Sequence, residues 1–217
     1  MSGRLQARSR LPGRVLAQLA GLFLPALGAI AAEAMLRTFR LPNQVEIAVP
    51  RDWRVMREEE LGEYEVLRDS ALEREGPIPQ VGSVVPFQAT KRNADGASIA
   101  AMLTFLPAES SQEEVAAWPE QVIHTLAQRL GEAQRRGLVA AGAREISVQP
   151  ATKAEVGGKL AVRFMLAFVG HDGRRYSAEK YFIYTSSRTV VLTLQWTTPF
   201  SFGQKDRDRI LASLRVW

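Results

Sequence analysis

Residues 159–197 hold three consecutive strand-like runs, of which the first and the third alternate with a period of two, and this pattern restricts the fold more than any other feature of the chain. Leu160, Val162, Phe164, Leu166 and Phe168 share one face of the first run, Lys159 to Val169. An Asp-Gly turn, His171-Asp172-Gly173-Arg174, follows, in which glycine takes the positive φ of a tight hairpin. Tyr176 to Tyr184 returns, Ser186-Ser187 turns again, and Thr189 to Thr197 sets Val190, Leu192, Leu194 and Trp196 against Thr189, Val191, Thr193, Gln195 and Thr197. A three-stranded meander needs a layer on its apolar side. The spacing of Ile210, Leu211, Leu214 and Trp217 predicts an amphipathic helix over Asp206 to Trp217 that supplies it.

The chain before this meander reads as more strands and one long helix. Val45, Ile47 and Val49 mark a strand over Gln44 to Val49, stopped at Pro50-Arg51-Asp52-Trp53, with a return strand predicted over Trp53 to Glu58 and Trp53 as a core plug. Tyr64 to Leu67 reads as a short strand. Asp69 to Asp95 shows no clear period and has two readings, a binding loop or a crossover with a short strand near Val84 to Thr90. Ser98 to Leu106 is apolar enough for a central strand, closed by Pro107. Overlapping S-x-x-E patterns from Ser110 and Ser111 start a helix with Val115, Trp118, Val122, Leu126 and Leu130 on its buried stripe. Pro119 marks a kink or second start, and Arg135-Arg136-Gly137 fits its end. Glu145 to Gln149 is a further strand, Ala151 to Glu155 extends it, and Gly157-Gly158 turns into the meander. Seven or eight strands with two main helices imply an α+β fold around a mostly antiparallel sheet.

Met1 to Arg14 carries four arginines and no acid, Val15 to Ala32 is an uncharged, mostly apolar run broken by Pro25, and small residues at Ala29-Ile30-Ala31 and Ala32-Glu33-Ala34 follow. This is the layout of a secretory signal peptide or signal anchor over residues 1–34. Cleavage makes the folded part periplasmic or secreted. Retention anchors it in the inner membrane, with membrane contact only through residues 15–32. Four of the 28 basic side chains and one of the 23 acidic ones lie within residues 1–34, so the remainder is nearly balanced. A basic face large enough to hold nucleic acid is not expected on such a body. With no cysteine, disulfides, thiolate metal sites, a cysteine nucleophile and cysteine lipidation are excluded.

Catalytic spacing is absent as well. The two histidines, His124 mid-helix and His171 at a hairpin tip, match no zinc pattern, and Asp172 beside His171 is a turn former. Gly96-Ala97-Ser98-Ile99-Ala100 departs from a nucleophile elbow by one residue and places its serine at the start of a strand. Glu58-Glu59-Glu60 reads as a solvated run at a strand end, and Phe200 and Phe202 as a staple for the last helix. Tyr176, Tyr181 and Tyr184 beside Arg174, Arg175 and Lys180 form the one mixed aromatic and basic surface to watch, with cross-strand pairing as its ordinary explanation. No catalytic, cofactor or metal residue is assigned, and binding residues stay unspecified.

The strand ending in Pro50-Arg51-Asp52-Trp53, the helix after an apolar strand, the Asp172-Gly173 hairpin and the closing Ile210-Leu211-Ala212-Ser213-Leu214 together resemble the Mog1/PsbP-like fold, nearest to bacterial DcrB-like exported proteins. The resemblance covers residues 40–217 and implies an α/β/α sandwich with a non-enzymatic, accessory or binding role and no cofactor. Many bacterial members are lipoproteins, and this chain has no cysteine to lipidate. The expectation is an exported non-catalytic module of the envelope that holds an unknown protein partner or small ligand against the sheet or the Asp69 to Asp95 stretch. A chaperone-like module shielding hydrophobic segments is the alternative, and a hydrolase with an unrecognised site is a third.

Overall fold

A computed structural model describes residues 35–62, 84–198 and 204–217. Arg37–Trp217 form one compact unit, distinct from Met1–Leu36. Its main sheet has eight strands: β3 (Arg54–Val55), β4 (Val84–Arg92), β5 (Ser98–Pro107), β6 (Arg144–Val148), β7 (Thr152–Val156), β8 (Lys159–Val169), β9 (Arg175–Tyr184) and β10 (Arg188–Thr197). They lie in the order β3-β4-β5-β10-β9-β8-β6, with β7 also on β8, and every described pairing is antiparallel. The predicted meander is β8-β9-β10, and β5 pairs with β10 along its whole length. A second sheet of three strands holds β1 (Leu36–Leu41), β2 (Val45–Pro50) and β11 (Arg215–Val216).

Each face of the main sheet is covered by a different layer. On the first, Ile183, Val190, Leu192 and Leu194 pack against helix α3 (Gln204–Ser213) through Ile210, against Leu214 just beyond it, and against Ile47 and Val49 of β2, all at most 1% exposed. On the second, Val162, Phe164, Leu166 and Phe182 pack against Val115 of α1 (Gln112–Ala117) and Ile123 of α2 (Glu120–Ala140). This is the α/β/α sandwich around an antiparallel sheet, with the small sheet joined to the α3 layer.

The helix starts follow their sequence signals. Ser111 caps α1 through its hydroxyl while Glu114 returns to the Ser111 N–H, and Pro119 separates α1 from α2. The Gln112 side chain then docks α1 on the sheet: its amide nitrogen donates to Leu160 O (2.9 Å) and Tyr184 O (2.5 Å), and its oxygen accepts from Leu160 N–H (2.8 Å). The turns behave similarly, with Gly157, Gly158 and Gly173 all at positive φ.

Five expectations are corrected. Trp53 to Glu58 does not return onto β2; only Arg54–Val55 is strand, and it pairs with Thr90 and Ala89 of β4, while β2 is flanked by β1 and β11. Glu58 and Glu59 are exposed as expected, but the run opens a helical turn at 58–62 in place of ending a strand, and there the Glu60 carboxylate accepts the Arg57 N–H (2.8 Å) and pairs with Arg54. Helix α2 runs through Gly137 to Ala140 because Leu138 packs on the second core, which outweighs the roughly 1 kcal/mol cost of glycine; Gly142, at φ 77°, ends it instead. The restart at Pro119 turns Ile123 and Ala127 inward and leaves Val122 41% exposed.

The fifth correction concerns the chain after Leu214. Helix α3 stops at Ser213, whose hydroxyl accepts from Ala48 N–H (2.9 Å) and lies 3.0 Å from Ala48 O, meeting the β2 backbone at that point. Arg215 and Val216 then pair with Glu46 and Val45 as β11, burying Val216 and leaving Trp217 exposed, off any helix. The predicted strand at Tyr64 to Leu67, the first part of the Asp69 to Asp95 stretch, the Phe200 and Phe202 staple and the leader of residues 1–34 lie outside the described residues. The last part of that stretch is β4, longer than the short strand considered for it.

Candidate binding face

The second face of the main sheet is apolar on one half and polar on the other. Over β8 and β9 it carries Val162, Phe164, Leu166, Phe168, Ala178 and Phe182, buried with α1 and α2. Over β10, β5 and β4 the same face carries Thr193 and Gln195, then Ala100, Met102 and Thr104, then Gln88 and Thr90, as the strand registers fix. Of these only Thr193 is fully buried; the others keep part of their surface in contact with solvent. The helices of this layer make their main contacts elsewhere, α1 on β8 and α2 on β6. The opposite face of the same strands, Ala101, Leu103, Leu192 and Leu194, is wholly buried.

Lys180 stands where the two halves meet. Phe164 is its cross-strand neighbour on β8 and Thr193 on β10; the row continues through Met102 to Gln88. Its ammonium donates to Gln134 Oε1 of α2 at 2.6 Å, and none of the ion pairs among the described residues includes it. Burial disfavours the charged form and pushes its pKa down to about 8. In the same row the Thr193 hydroxyl and Gln88 Oε1 are buried and have no hydrogen-bond partner.

Charges on the first face are, by contrast, paired. The Glu179 carboxylate, fully buried, meets Arg163 (2.6 Å), Arg207 (3.5 Å) and the Tyr181 hydroxyl, which donates to it at 2.9 Å. Burial and that carboxylate together push Tyr181 up to about 12. Asp206 accepts from Trp53 Nε1 (3.2 Å) and Lys91 (3.1 Å), and Lys91 also meets Asp52 at 2.8 Å. Consecutive residues of opposite charge, Asp206 and Arg207, thus fasten the first turn of α3 to the sheet at two points. These groups hold a helix down, and Trp53 is the core plug its position implied.

The mixed surface expected from Tyr176, Tyr181, Tyr184 and their basic neighbours does not exist as one surface. Alternation places Tyr181 on the first face with Glu179, and Tyr176, Lys180 and Tyr184 on the second. Tyr184 is buried against Trp118, and Tyr176 stacks on Phe168 and donates to Asp172 at 2.8 Å. Arg174 reaches across to Gly96 O, tying the β8–β9 turn to the β4–β5 turn, and Arg175 pairs with Glu145. Among the described residues His124 bonds with Gln128, 3.3 Å away, Ser98 begins β5, and His171 and Asp172 share the β8–β9 turn. No group of three or more potential metal ligands is gathered among the described residues.

Two depressions lie elsewhere. One, about 480 Å³, is bounded by Arg40, Leu41, Gln44, Val45, Glu46 and Trp217, beside a turn that holds Asn43 and Gln44 at φ 66° and 57°. The other, about 340 Å³, runs between α2 and the β6–β7 corner over Ala127, Gly131 and Val148. Sequence reasoning missed the polar half-face because the alternation of Thr189, Thr193, Gln195 and Thr197 looks like an ordinary solvent side. Only the register with β5 and β4 shows that it continues across three strands.

No helix among the described residues is long and apolar enough to cross a membrane. No family model and no curated protein matches the chain. Solved structures do. The solution structure of PsbP (CyanoP) from the cyanobacterium Synechocystis is 14% identical, with 85% of this chain and 94% of that one covered and a TM-score of 0.41. LpqN of Mycobacterium tuberculosis, described as involved in cell envelope biogenesis, is 13% identical over 83% of this chain and 90% of that one, TM-score 0.40. A Bacteroides thetaiotaomicron protein is 13% identical over 84% of this chain and 49% of its own, TM-score 0.40. The likeness is one of fold.

Proposed function

We propose that this chain is an exported, non-catalytic binding or accessory module of the bacterial envelope, working by contact through the polar half of its sheet. The carrying observation is the division of one sheet face: helices cover the apolar half, while Gln88, Thr90, Met102, Thr104 and Gln195 of the other half keep contact with solvent. A sheet face that offers amides and hydroxyls on a rigid antiparallel frame suits recognition of a polar partner. Among the described residues of Arg37–Trp217 the exposed large apolar side chains are Val84 on β4, Val122 and Val139 seventeen positions apart on α2, and Trp217 after β11, and this scatter favours the reading over a groove for hydrophobic segments. Export rests on the four arginines and apolar run of residues 1–34.

A photo-crosslinking residue in place of Gln195 or Thr104 tests the face directly in cells carrying the full chain. The adduct mass distinguishes a protein from a small molecule. Adducts are expected from these two positions and not from Asp208, which is exposed on the α3 layer. Adducts from Asp208 alone would overturn the assignment of the face. Intact Met1 on protein recovered from the cytoplasm would overturn export.

A further inference from the structure

We propose that Lys180 and Thr193 anchor an oxyanion, the carboxylate or phosphate of a small ligand that lies across β10 and β5 towards Gln88. This rests on the reading of the polar half-face as the contact surface. It starts from a contrast of charge. On the first face Glu179, Asp206, Arg207 and Lys91 each meet an opposite charge, so the fold compensates the charges it buries there. Lys180 has a neutral acceptor, Gln134, which engages one of its three N–H groups. An anion would supply both the missing charge and acceptors for the remaining hydrogens.

The neighbours in its row supply the rest of a site. Thr193, 6% exposed, is the direct cross-strand partner of Lys180, and its buried hydroxyl has no partner of its own, so it is placed to donate to the same anion. Met102 comes next and offers apolar contact to a ligand body. Gln88 follows, two strand spacings or about 10 Å from Thr193. Its Oε1 also lacks a partner and would accept an N–H or O–H from the far end of the ligand. Lys180, Met102 and Gln88 retain some exposure on either side of the buried Thr193, so the row meets solvent at those three positions. Thr189 shares the unpartnered hydroxyl, but its cross-strand neighbours are Leu106 and Tyr184, with no cation among them.

The test follows the Lys180 side-chain resonance of the full chain, labelled with ¹³C at the lysine ε-carbon, at constant ionic strength. Inorganic phosphate, glycerol 3-phosphate and butyrate are titrated in separate arms, with chloride as the control for screening. A saturable shift of Lys180 in at least one arm is expected, and a tighter response to an organic anion than to inorganic phosphate identifies a body lying over Met102. Lys180→Met should abolish the saturable response, and Thr193→Val should weaken it about tenfold, the loss expected for a hydrogen bond to a charged group. Both variants are expected to fold, since one removes a buried charge at similar length and the other replaces a hydroxyl by a methyl group. A shift that fails to saturate in all three arms, or matches that of chloride, overturns the assignment. So does unchanged binding by Lys180→Met. Crosslinking from Gln195 would still judge the contact face, so failure of the anion and failure of the face are separate results.

Discussion

Replacing Lys180 by methionine should make the protein more stable at neutral pH, and the gain should vanish as the pH rises. An unfolded lysine titrates near 10.5, whereas burial holds folded Lys180 at about 8. The gap of about 2.5 pH units corresponds to roughly 3 kcal/mol, at about 1.4 kcal/mol per unit. Below pH 8 the side chain is protonated in both states, and the folded state bears the cost of holding a half-buried ammonium with only part of its hydration. Between pH 8 and 10.5 the unfolded chain binds more protons than the folded one, so wild-type stability rises with pH; above 10.5 the cost is gone. Methionine fills similar space without charge, though it leaves Gln134 Oε1 without its donor, which offsets about 1 kcal/mol. The expected difference at pH 7 is therefore about 2 kcal/mol in favour of Lys180→Met, falling steadily above pH 8. Urea unfolding of both proteins from pH 6.5 to 10 measures it, with equal m-values as the check that only stability has changed. Tyr181 and Tyr184, both raised by burial, lose folded-state stability as the pH climbs past 10, but they do so in both proteins and cancel in the difference. A methionine variant less stable than wild type at pH 7, with a difference flat in pH, would refute the claim that Lys180 is a half-buried charge with no opposite charge beside it.

Glu179→Gln should destabilise by about 3 kcal/mol in thermal or urea unfolding, since it leaves Arg163 and Arg207 facing each other across a buried amide; an unchanged midpoint would mean that the two guanidinium groups reach water freely. Ser213→Ala should cost about 1–3 kcal/mol, because the Ala48 N–H loses its acceptor, and hydrogen exchange at Ala48 should accelerate before the β8–β10 core does. Gln112→Ala removes three hydrogen bonds to the backbone of β8 and β9 and leaves the Leu160 N–H unmet, for a loss of similar size; faster exchange at Leu160 with an intact α3 is the expected pattern.

How far the sequence foretold the structure depends on the range over which each signal acts. The meander, the capping box at Ser111, the restart at Pro119 and the Gly157-Gly158 turn were legible because each is decided by neighbours within a few positions. Trp217 was misplaced because its helical spacing from Ile210 and Leu214 is real, yet β2 offers Glu46 and Val45 to Arg215 and Val216, and that distant pairing wins over one more helical turn. Gly137 misled in the same way, its local preference outweighed by Leu138 on the sheet. The candidate site lies at the far end of this scale. Lys180 was visible as a basic residue among tyrosines, but nothing near it in the chain says that Phe164 flanks it on one side, Thr193 on the other and Gln88 three strands away. A lysine between an aromatic and a threonine is unremarkable as a string. It gains chemical meaning only when the sheet register brings together one cation and two unpartnered polar atoms contributed by strands some ninety residues apart. The site is thus a property of β4, β5, β9 and β10 in register, and any substitution that slips that register by one residue would send Lys180 to the opposite face and dissolve it.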